Sequence, residues 1–236
     1  MSKDRTPTVL KYESPVVLVG GGDVDAGYLR AWGRQYPVIA VDSGADEART
    51  LGLEPEAITG DMDSISSPDA FPRSRILPTP DQDQTDFAKA LALVDAPLIL
   101  CLGFLGRRFD HALAAINTLA RARQDRIVLV GPSDAIVFRR GDTALQLAPG
   151  SRISIWPMGE QSFLGSEGLE WPLDGLCMSP GGAIGTSNRV ARGDGEVRIK
   201  ANPEGGGYLI ITPVDAVNRL ISAIAPEDDH PAVVVP

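Results

Sequence analysis

The segment VVLVGGG at residues 16–22 joins four consecutive apolar residues to three glycines. An apolar run bounded by glycine predicts a short strand that is buried on both faces. Similar runs recur at 38–41, 98–102 and 127–130, with a weaker one at 75–77, and apolar residues at helical spacing lie between some of them. The first half is therefore predicted to be an α/β domain, Rossmann-like, whose parallel strands are joined by helical crossovers.

The second half has a different pattern. Its short β-like runs are separated by glycine and proline turns and lie at 135–138, 144–147, 152–156, 196–199 and 208–211. Such runs predict an antiparallel sandwich or barrel, closed by a helix over about 214–224. We expect two domains: an α/β domain over residues 1–131, and an all-β sandwich over residues 132–236 that ends in the helix and a loose tail.

Composition excludes several classes of protein. The net charge of −9 over 236 residues argues against a nucleic-acid binder, which needs a basic face. The two cysteines are too few for a disulfide framework. No apolar run reaches the length of a membrane span, and residues 1–15 are too polar for a signal peptide. We therefore expect a cytoplasmic protein with no membrane partner.

Aspartates follow the predicted strands of the first half. Asp42 directly follows the run at 38–41, and Asp61 and Asp63 follow the run at 57–60. The loops after the next runs contain further aspartates: Asp81, Asp83, Asp86 and Asp110. In an open parallel sheet these loops lie along one edge, where ligands bind. Residues two apart in an extended backbone face the same side, so Asp61 and Asp63 are expected to face one point.

Crowded carboxylates repel one another, and a proton or a hard cation relieves the repulsion. Mg²⁺ suits such a cluster because it takes oxygen ligands and is often shared between one or two carboxylates and substrate phosphates. Aspartates in loops also serve as turn residues and helix caps, and this alternative stays open for Asp81 and Asp83. Asp86 would begin a helix that has Thr85 as its N-cap, a position that favours a carboxylate without any ligand.

The segment LGFLGRRFDH at residues 102–111 is a second candidate site. A glycine-containing loop that follows a strand and leads into a helix exposes main-chain N–H groups to an anion. The arginines add guanidinium groups that can bind phosphate in a forked geometry. A solvated surface loop is the alternative. His111 lies in the first turn of the predicted helix, where a lone histidine is expected to be structural.

The glycines at 20–22 do not complete a dinucleotide fingerprint. The third glycine of G-x-G-x-x-G would fall at position 25, which is Asp25. A hydride-transfer enzyme is therefore not supported. A glycine-rich strand end beside a nucleotide still fits the sequence, so Gly21 and Gly22 are predicted to contact one.

Six segments in order resemble motifs of the thiamine pyrophosphokinase family. DSGAD at 42–46 resembles D-G-G-A-N, GDMDSI at 60–65 resembles G-D-F-D-S-I, and TPDQDQTDFAKAL at 79–91 resembles T-P-D-x-D-x-T-D-F-x-K-A-L. Further along, GRRFDH at 106–111 resembles G-G-R-x-D-H, GLEWPL at 168–173 resembles G-L-K-[WY]-x-L, and GTSN at 185–188 resembles a thiamine-site S-N motif. Arg107 stands where the family motif has its second glycine, and Ala115 where many bacterial members have Asn.

The resemblance implies an α/β nucleotide domain followed by a β-sandwich, and transfer of pyrophosphate from ATP to the hydroxyl of thiamine. It also implies a homodimer with the active site at the subunit junction. The implied Mg²⁺ ligands are Asp42, Asp61, Asp63 and Asp86. The implied ATP-binding residues are Arg108, Asp110 and Asn117, in addition to the two glycines. The implied thiamine-binding residues are Gln82, Trp171, Ser187 and Asn188. The implied catalytic residues are Asp61, Asp63, Asp86 and Arg108.

Two other functions stay open at the level of sequence. One is a different magnesium-dependent phosphate enzyme, such as a phosphatase with a D-x-D nucleophile, although such a motif normally closes its strand directly and here Gly60 intervenes. The other is a non-catalytic thiamine-binding protein on the same fold. Trp171 likewise has a second interpretation, because a tryptophan in a sandwich commonly packs in the core.

Overall fold

A computed structural model describes residues 10–61, 70–79, 83–225 and 233 of the chain. These residues fall into two compact units, the first running to Thr118 and the second starting at Leu119. The predicted boundary at 131 lies later in the chain. The strand at Ile127–Val130 belongs with the second unit because it pairs antiparallel with the strand that follows it.

The first unit alternates strands and helices. Its strands are β1 (Leu10–Lys11), β2 (Val16–Val19), β3 (Val38–Val41), β4 (Ala57–Gly60), β5 (Arg75–Pro78), β6 (Val94–Asp95) and β7 (Ile99–Leu102). Its helices are α1 (Ala26–Gly33), α2 (Gly44–Thr50), α3 (Asp86–Leu93) and α4 (Phe109–Arg121), the last of which continues past Thr118. Five of the strands pair side by side in the order β7-β2-β3-β4-β5, all parallel, and β1 pairs with β6.

The three strands β7, β2 and β3 are buried at every residue. Leu18 of β2, for example, lies between Ile39 and Cys101 in the strand register. Parallel strands covered on both faces are apolar throughout, which is why these runs stand out in the sequence. Because all five strands run in the same direction, the loops at their carboxyl ends collect at one edge.

Two of the helices begin with side-chain caps. The Asp25 carboxylate accepts hydrogen bonds from the N–H groups of Gly27 and Tyr28, at 2.8 and 3.1 Å, at the start of α1. The Thr85 hydroxyl accepts one from Ala88 N–H at 3.2 Å, which confirms the predicted cap of α3. Each cap satisfies main-chain donors that the helix itself leaves unpaired.

The second unit is built from antiparallel strands. They are β8 (Ile127–Val130), β9 (Asp134–Arg139), β10 (Thr143–Gln146), β11 (Arg152–Pro157), β12 (Gln161–Glu167), β13 (Cys177–Met178), β14 (Gly185–Arg189), β15 (Glu196–Ala201) and β16 (Tyr208–Pro213). One set pairs in the order β8-β9-β16-β11-β14, and the second sheet has the order β10-β15-β12-β13. The predicted antiparallel second domain is confirmed.

Tyr208 of β16 joins the two sheets of the second unit. Its ring packs edge-on against Phe163 of β12, with 5.2 Å between the ring centroids. Its hydroxyl donates to the Gly141 carbonyl at 2.9 Å and lies 3.0 Å from the Thr143 hydroxyl. Burial raises the pKa of Tyr208 to about 12, and the hydrogen bonds satisfy the polar end of a side chain that is otherwise in the core.

The predictions from the sequence are wrong for some elements of this unit. The predicted helix over 214–224 begins as a 3-10 turn at Val214–Ala216, and only Val217–Ile224 is α-helical, here named α5. Strands β12 and β14 were not predicted, because both contain glycine and polar residues and show no clean alternation. Pairing with neighbouring strands stabilises them despite their weak intrinsic preference.

None of the helices in the described part of the chain has both the length and the apolar character that crossing a membrane requires.

Candidate active site

A cleft of about 470 Å³ opens in the first unit, among the loops that follow β2, β3 and β7 and the starts of α3 and α4. Its walls include five glycines, two aspartates, two arginines and a serine: Gly20, Gly21, Gly22, Asp42, Ser43, Asp86, Gly103, Gly106, Arg107 and Arg108. The remaining walls come from Val41, Thr85, Phe87, Phe104, His111, Ala114 and Ala115. The cleft therefore lies at the sheet edge where the sequence predicted a nucleotide.

The glycines let two loops meet main chain to main chain. Gly22 N–H donates to the Gly103 carbonyl at 2.8 Å, and a Cβ added to Gly22 would lie 2.5 Å from that oxygen. Gly103 has φ +76, a conformation that favours glycine. Gly21 and Gly22, predicted to bind ATP, line the cleft. The absence of side chains at these positions leaves room for a ligand to approach the backbone.

Asp42 adopts the left-handed conformation with φ +48 at the end of β3. Its main-chain N–H donates to the Thr59 carbonyl at 2.9 Å, so it lies beside the end of β4. Its carboxylate occupies the space over Gly60, where an added Cβ would lie 1.7 Å from Oδ1. Asp61 follows Gly60 directly and is exposed. The structure thus places Asp42 in the cleft wall and Asp61 next to the glycine that Asp42 covers.

Asp86 lies in the first turn of α3, and its Oδ1 is 2.6 Å from Nζ of Lys89. Lys89 is only 8% exposed and also donates to the Thr79 carbonyl at 2.8 Å. A buried ammonium held by a carboxylate and a carbonyl is satisfied and fixes the position of both partners. Sequence reasoning gave Lys89 no role, although its i, i+3 spacing from Asp86 in the TDFAK segment was a usable signal.

The predicted magnesium ligands can be compared with this arrangement. Asp42 and Asp86 line one cleft and supply the hard oxygen donors that Mg²⁺ takes, so the donor set fits the ion. Asp63 lies outside the described residues. Within the residues described, no three His, Cys, Asp or Glu side chains form a group that could hold a metal. The four-aspartate site therefore stays a prediction.

Arg108 and Asp110 form a forked ion pair at the start of α4. Nε of Arg108 donates to Asp110 Oδ1 at 3.1 Å and Nη2 donates to Oδ2 at 2.6 Å. The hydrogen bond from Arg108 lowers the pKa of the Asp110 carboxyl, and the same pair raises the pKa of Arg108. The pair's contribution to the stability of the folded chain is present above the ordinary pKa of aspartate. It is lost as the pH falls through the lowered pKa of Asp110.

Helix α4 contributes one face to the cleft. His111, Ala114 and Ala115 line it, at the i, i+3 and i+4 spacing of a single helix face. Asn117, predicted to contact ATP, is exposed and does not line this cleft, because it lies roughly 100° around the helix from that face. Ala115, two residues earlier, takes the place at the wall.

The second unit brings together three of the predicted thiamine residues. Trp171 and Asn188 are joined by two hydrogen bonds, and Ser187 immediately precedes Asn188. Trp171 is 52% exposed, so the core-packing interpretation is not supported in this chain. Ser187 has φ +57, and its N–H donates to the Ser154 hydroxyl at 3.0 Å. Gln82 lies outside the described residues.

Both halves of the chain match sequence models of known protein domains. The sequence model of the thiamin pyrophosphokinase catalytic domain matches residues 28–130, and that of the thiamin pyrophosphokinase vitamin B1 binding domain matches residues 142–203. The chain belongs to the thiamin pyrophosphokinase family. Both characteristic domains of the family are present in the expected order. Both models are named for this family and neither for a phosphatase family, so the phosphatase alternative is not favoured.

Curated relatives carry the same family name. Thiamine pyrophosphokinase 1 of Oryza sativa subsp. japonica is 34% identical over 165 residues, which cover 61% of this chain and 62% of the rice protein. Thiamine pyrophosphokinase 3 of the same plant is 29% identical over 213 residues, covering 74% of this chain and 79% of the relative. The match to the first of these relatives thus spans slightly less than two thirds of its length.

Solved structures share the fold. Thiamin pyrophosphokinase from Candida albicans superposes with a TM-score of 0.74 at 16% identity, over 91% of this chain and 95% of that one. Thiamin pyrophosphokinase from Geobacillus thermodenitrificans gives a TM-score of 0.71 at 22% identity, over 84% and 96%. At these identities the likeness establishes the fold of the thiamin pyrophosphokinases and nothing finer.

Proposed function

We propose that the chain transfers pyrophosphate from ATP to the hydroxyl of thiamine, which gives thiamine diphosphate and AMP. One observation carries this proposal furthest. A glycine-walled cleft that contains Asp42, Asp86 and Arg108 lies in the unit that matches the family's catalytic domain. The unit that matches the vitamin B1 binding domain presents a half-exposed tryptophan.

The reaction needs positioning and charge neutralisation more than covalent help from the protein. The thiamine hydroxyl oxygen forms a bond to the β-phosphorus of ATP, and the bond from that phosphorus to the α,β-bridging oxygen breaks. The bridging oxygen leaves on AMP with the electron pair of that bond, and the hydroxyl proton is released to solvent. Gly21 and Gly22, which carry no side chains, would let the phosphates approach the main chain. The forked guanidinium of Arg108 would offset negative charge on the transferred group or on AMP.

Asp42, Asp61, Asp63 and Asp86 would hold Mg²⁺. When bound, the ion supplies charge neutralisation at the phosphate oxygens. Lys89 would keep one oxygen of Asp86 occupied and so orient the other, because its Nζ lies 2.6 Å from Oδ1. We include in the proposal a homodimer whose active site lies at the subunit junction, because the family resemblance implies one.

The thiamine side would use the exposed ring of Trp171. Thiamine has a cationic thiazolium and a flat aminopyrimidine, and an indole face attracts both. Asn188 is buried and its amide already binds the main chain of Trp171, so it would orient the ring and would not itself contact the ligand.

The test is AMP release from ATP, measured with and without thiamine and with and without Mg²⁺. The proposal expects AMP only when both are present, together with thiamine diphosphate in equal amount. A phosphatase would release inorganic phosphate without thiamine. Thiamine binding without any AMP would indicate the non-catalytic alternative.

A further inference from the structure

Arg107 occupies a backbone conformation that glycine would adopt more easily. Its φ is +49, and the family motif has glycine at this position. A residue with a side chain is held in this region only when its surroundings compensate the strain. The partner is Asp23 in the loop after β2. Arg107 donates to the Asp23 carboxylate from its main-chain N–H at 3.3 Å and from Nε at 3.2 Å.

The rest of the guanidinium reaches two further segments. Nη1 of Arg107 donates to the Gly21 carbonyl at 2.6 Å, and Nη2 donates to Oε1 of Glu47 on α2 at 3.3 Å. One side chain therefore joins the loop after β7 to the loop after β2 and to helix α2. Gly21 and Arg107 both line the cleft, so these contacts lie at its rim.

The charges of Arg107, Asp23 and Glu47 affect how a nucleotide approaches the cleft. Asp23 and Glu47 are half-exposed carboxylates, and each forms an ion pair with Arg107. A nucleoside triphosphate is strongly negative, and these two carboxylates, which do not line the cleft but are bound to Arg107 in its wall, would repel it. The guanidinium between Asp23 and Glu47 offsets that repulsion. A glycine at position 107 would leave both carboxylates without this cation.

We propose that Arg107 is a positioning residue for the nucleotide, which offsets Asp23 and Glu47 and so allows the triphosphate to enter the cleft. This deepens the proposed function and rests on it. Arg107 acts through the field at the rim and through the Gly21 loop, without a role in thiamine binding. The arginine and the two carboxylates form one charge-balanced unit in this chain.

The experiment measures binding of the magnesium complex of α,β-methylene ATP, a non-hydrolysable analogue, by calorimetry. For Arg107→Gln we expect the Kd to rise about three- to tenfold, with the thiamine KM unchanged. Arg107→Gly gives the same rise, and because glycine accepts φ +49 without strain, the relief of strain offsets part of the stability lost with the ion pairs of Arg107. Arg198→Gln is the matched control, because Arg198 also bridges two carboxylates, those of Glu167 and Glu196, but does so in the second unit.

A rescue variant separates charge from mechanical support. Arg107→Gln combined with Asp23→Asn and Glu47→Gln removes the cation and both anions together, and we expect the Kd to return to within about twofold of the wild type. If the triple variant binds the analogue as weakly as Arg107→Gln does, the proposal is overturned, and Arg107 is only a structural link between the segments that it contacts. Unchanged Kd values in both single variants would overturn it as well.

The wild-type measurement keeps this proposal distinct from the proposed function. A wild-type chain that does not bind the analogue overturns the proposed function, and the role of Arg107 falls with it. Wild-type binding together with equal losses of nucleotide and thiamine affinity in Arg107→Gln overturns only the role of Arg107.

Discussion

Asn188 holds Trp171 by both main-chain groups of the tryptophan. Trp171 N–H donates to Asn188 Oδ1 at 3.2 Å, and Asn188 Nδ2 donates to the Trp171 carbonyl at 2.7 Å. Asn188 is 5% exposed, whereas half of Trp171 is accessible. A buried amide therefore fixes the backbone from which an exposed indole projects.

Asn188→Ala should loosen Trp171 without removing its ring. The substitution leaves main-chain groups of Trp171 unpaired, and we expect the melting temperature to fall by roughly 2–8 °C. The thiamine KM should rise because the ring is no longer held, while the ATP KM stays unchanged. Thermal melting and steady-state kinetics check both. Asn202→Ala is the control, since that side chain accepts one exposed hydrogen bond, from Glu204. Wild-type thiamine KM in Asn188→Ala would contradict the positioning role.

Trp171→Ala should raise the thiamine KM by about two- to thirtyfold, since cation–π contacts contribute about 0.5–2 kcal/mol. The ATP KM should be nearly unchanged, and Trp171→Tyr should recover most of the loss. Steady-state kinetics with each substrate varied in turn measure both constants. Leu164→Ala removes another exposed apolar side chain of the same unit and serves as the control. A variant that melts far lower and loses both affinities equally would identify Trp171 as a packing residue.

Asp61→Asn and Asp63→Asn should each keep the wild-type melting temperature and lose turnover by roughly a hundredfold. The Mg²⁺ concentration for half-maximal activity should rise, because an amide is a poorer ligand than a carboxylate. Calorimetric titration with Mg²⁺ and the nucleotide gives a readout independent of turnover. Asp95→Asn, in β6 and outside the cleft walls, is the control. Normal Mg²⁺ dependence in both variants would remove Asp61 and Asp63 from the metal site.

Arg108→Lys keeps a positive charge and loses the fork that now binds both oxygens of Asp110. We expect turnover to fall roughly tenfold to a hundredfold, with the thiamine KM little changed. Arg49→Lys, on α2 outside the cleft walls, serves as a matched control. Single-turnover rates of AMP release provide the measurement. Wild-type rates in Arg108→Lys would return Arg108 to the solvated loop that the sequence left open.

The buried strands could be predicted from sequence because burial on both faces leaves an unbroken apolar run. The predictions at 16–19, 38–41 and 127–130 match the observed bounds. Strands β12 and β14 could not be predicted, because both mix glycine and polar residues without a clean alternation, and their partners β15 and β11 lie far along the chain. The Rossmann-like classification of the first domain stays a prediction.

Some features of the candidate site could likewise be predicted from the sequence, and others could not. Asp42, Asp86 and Arg108 were predictable because short motifs place them directly after strands or at helix starts. The binding of Trp171 by Asn188 links residues 17 positions apart, and no local pattern shows it. The contact of Arg107 with Asp23 spans 84 positions and depends on two loops meeting at the sheet edge. Such pairings follow from the fold and have no local signal in the sequence.

The carboxylate of Asp42 over Gly60 has a consequence for how this sequence can change over generations. Gly60 has φ +136, and any side chain there would also collide with Asp42. The glycine that opens the GDMDSI segment is therefore required by an aspartate 18 positions earlier as much as by its own turn. We therefore expect Asp42 and Gly60 to be retained together in evolution, although their motifs are separate in the sequence. A descendant that loses the Asp42 carboxylate still meets the backbone constraint at position 60, whereas one that gains a side chain at position 60 must displace Asp42.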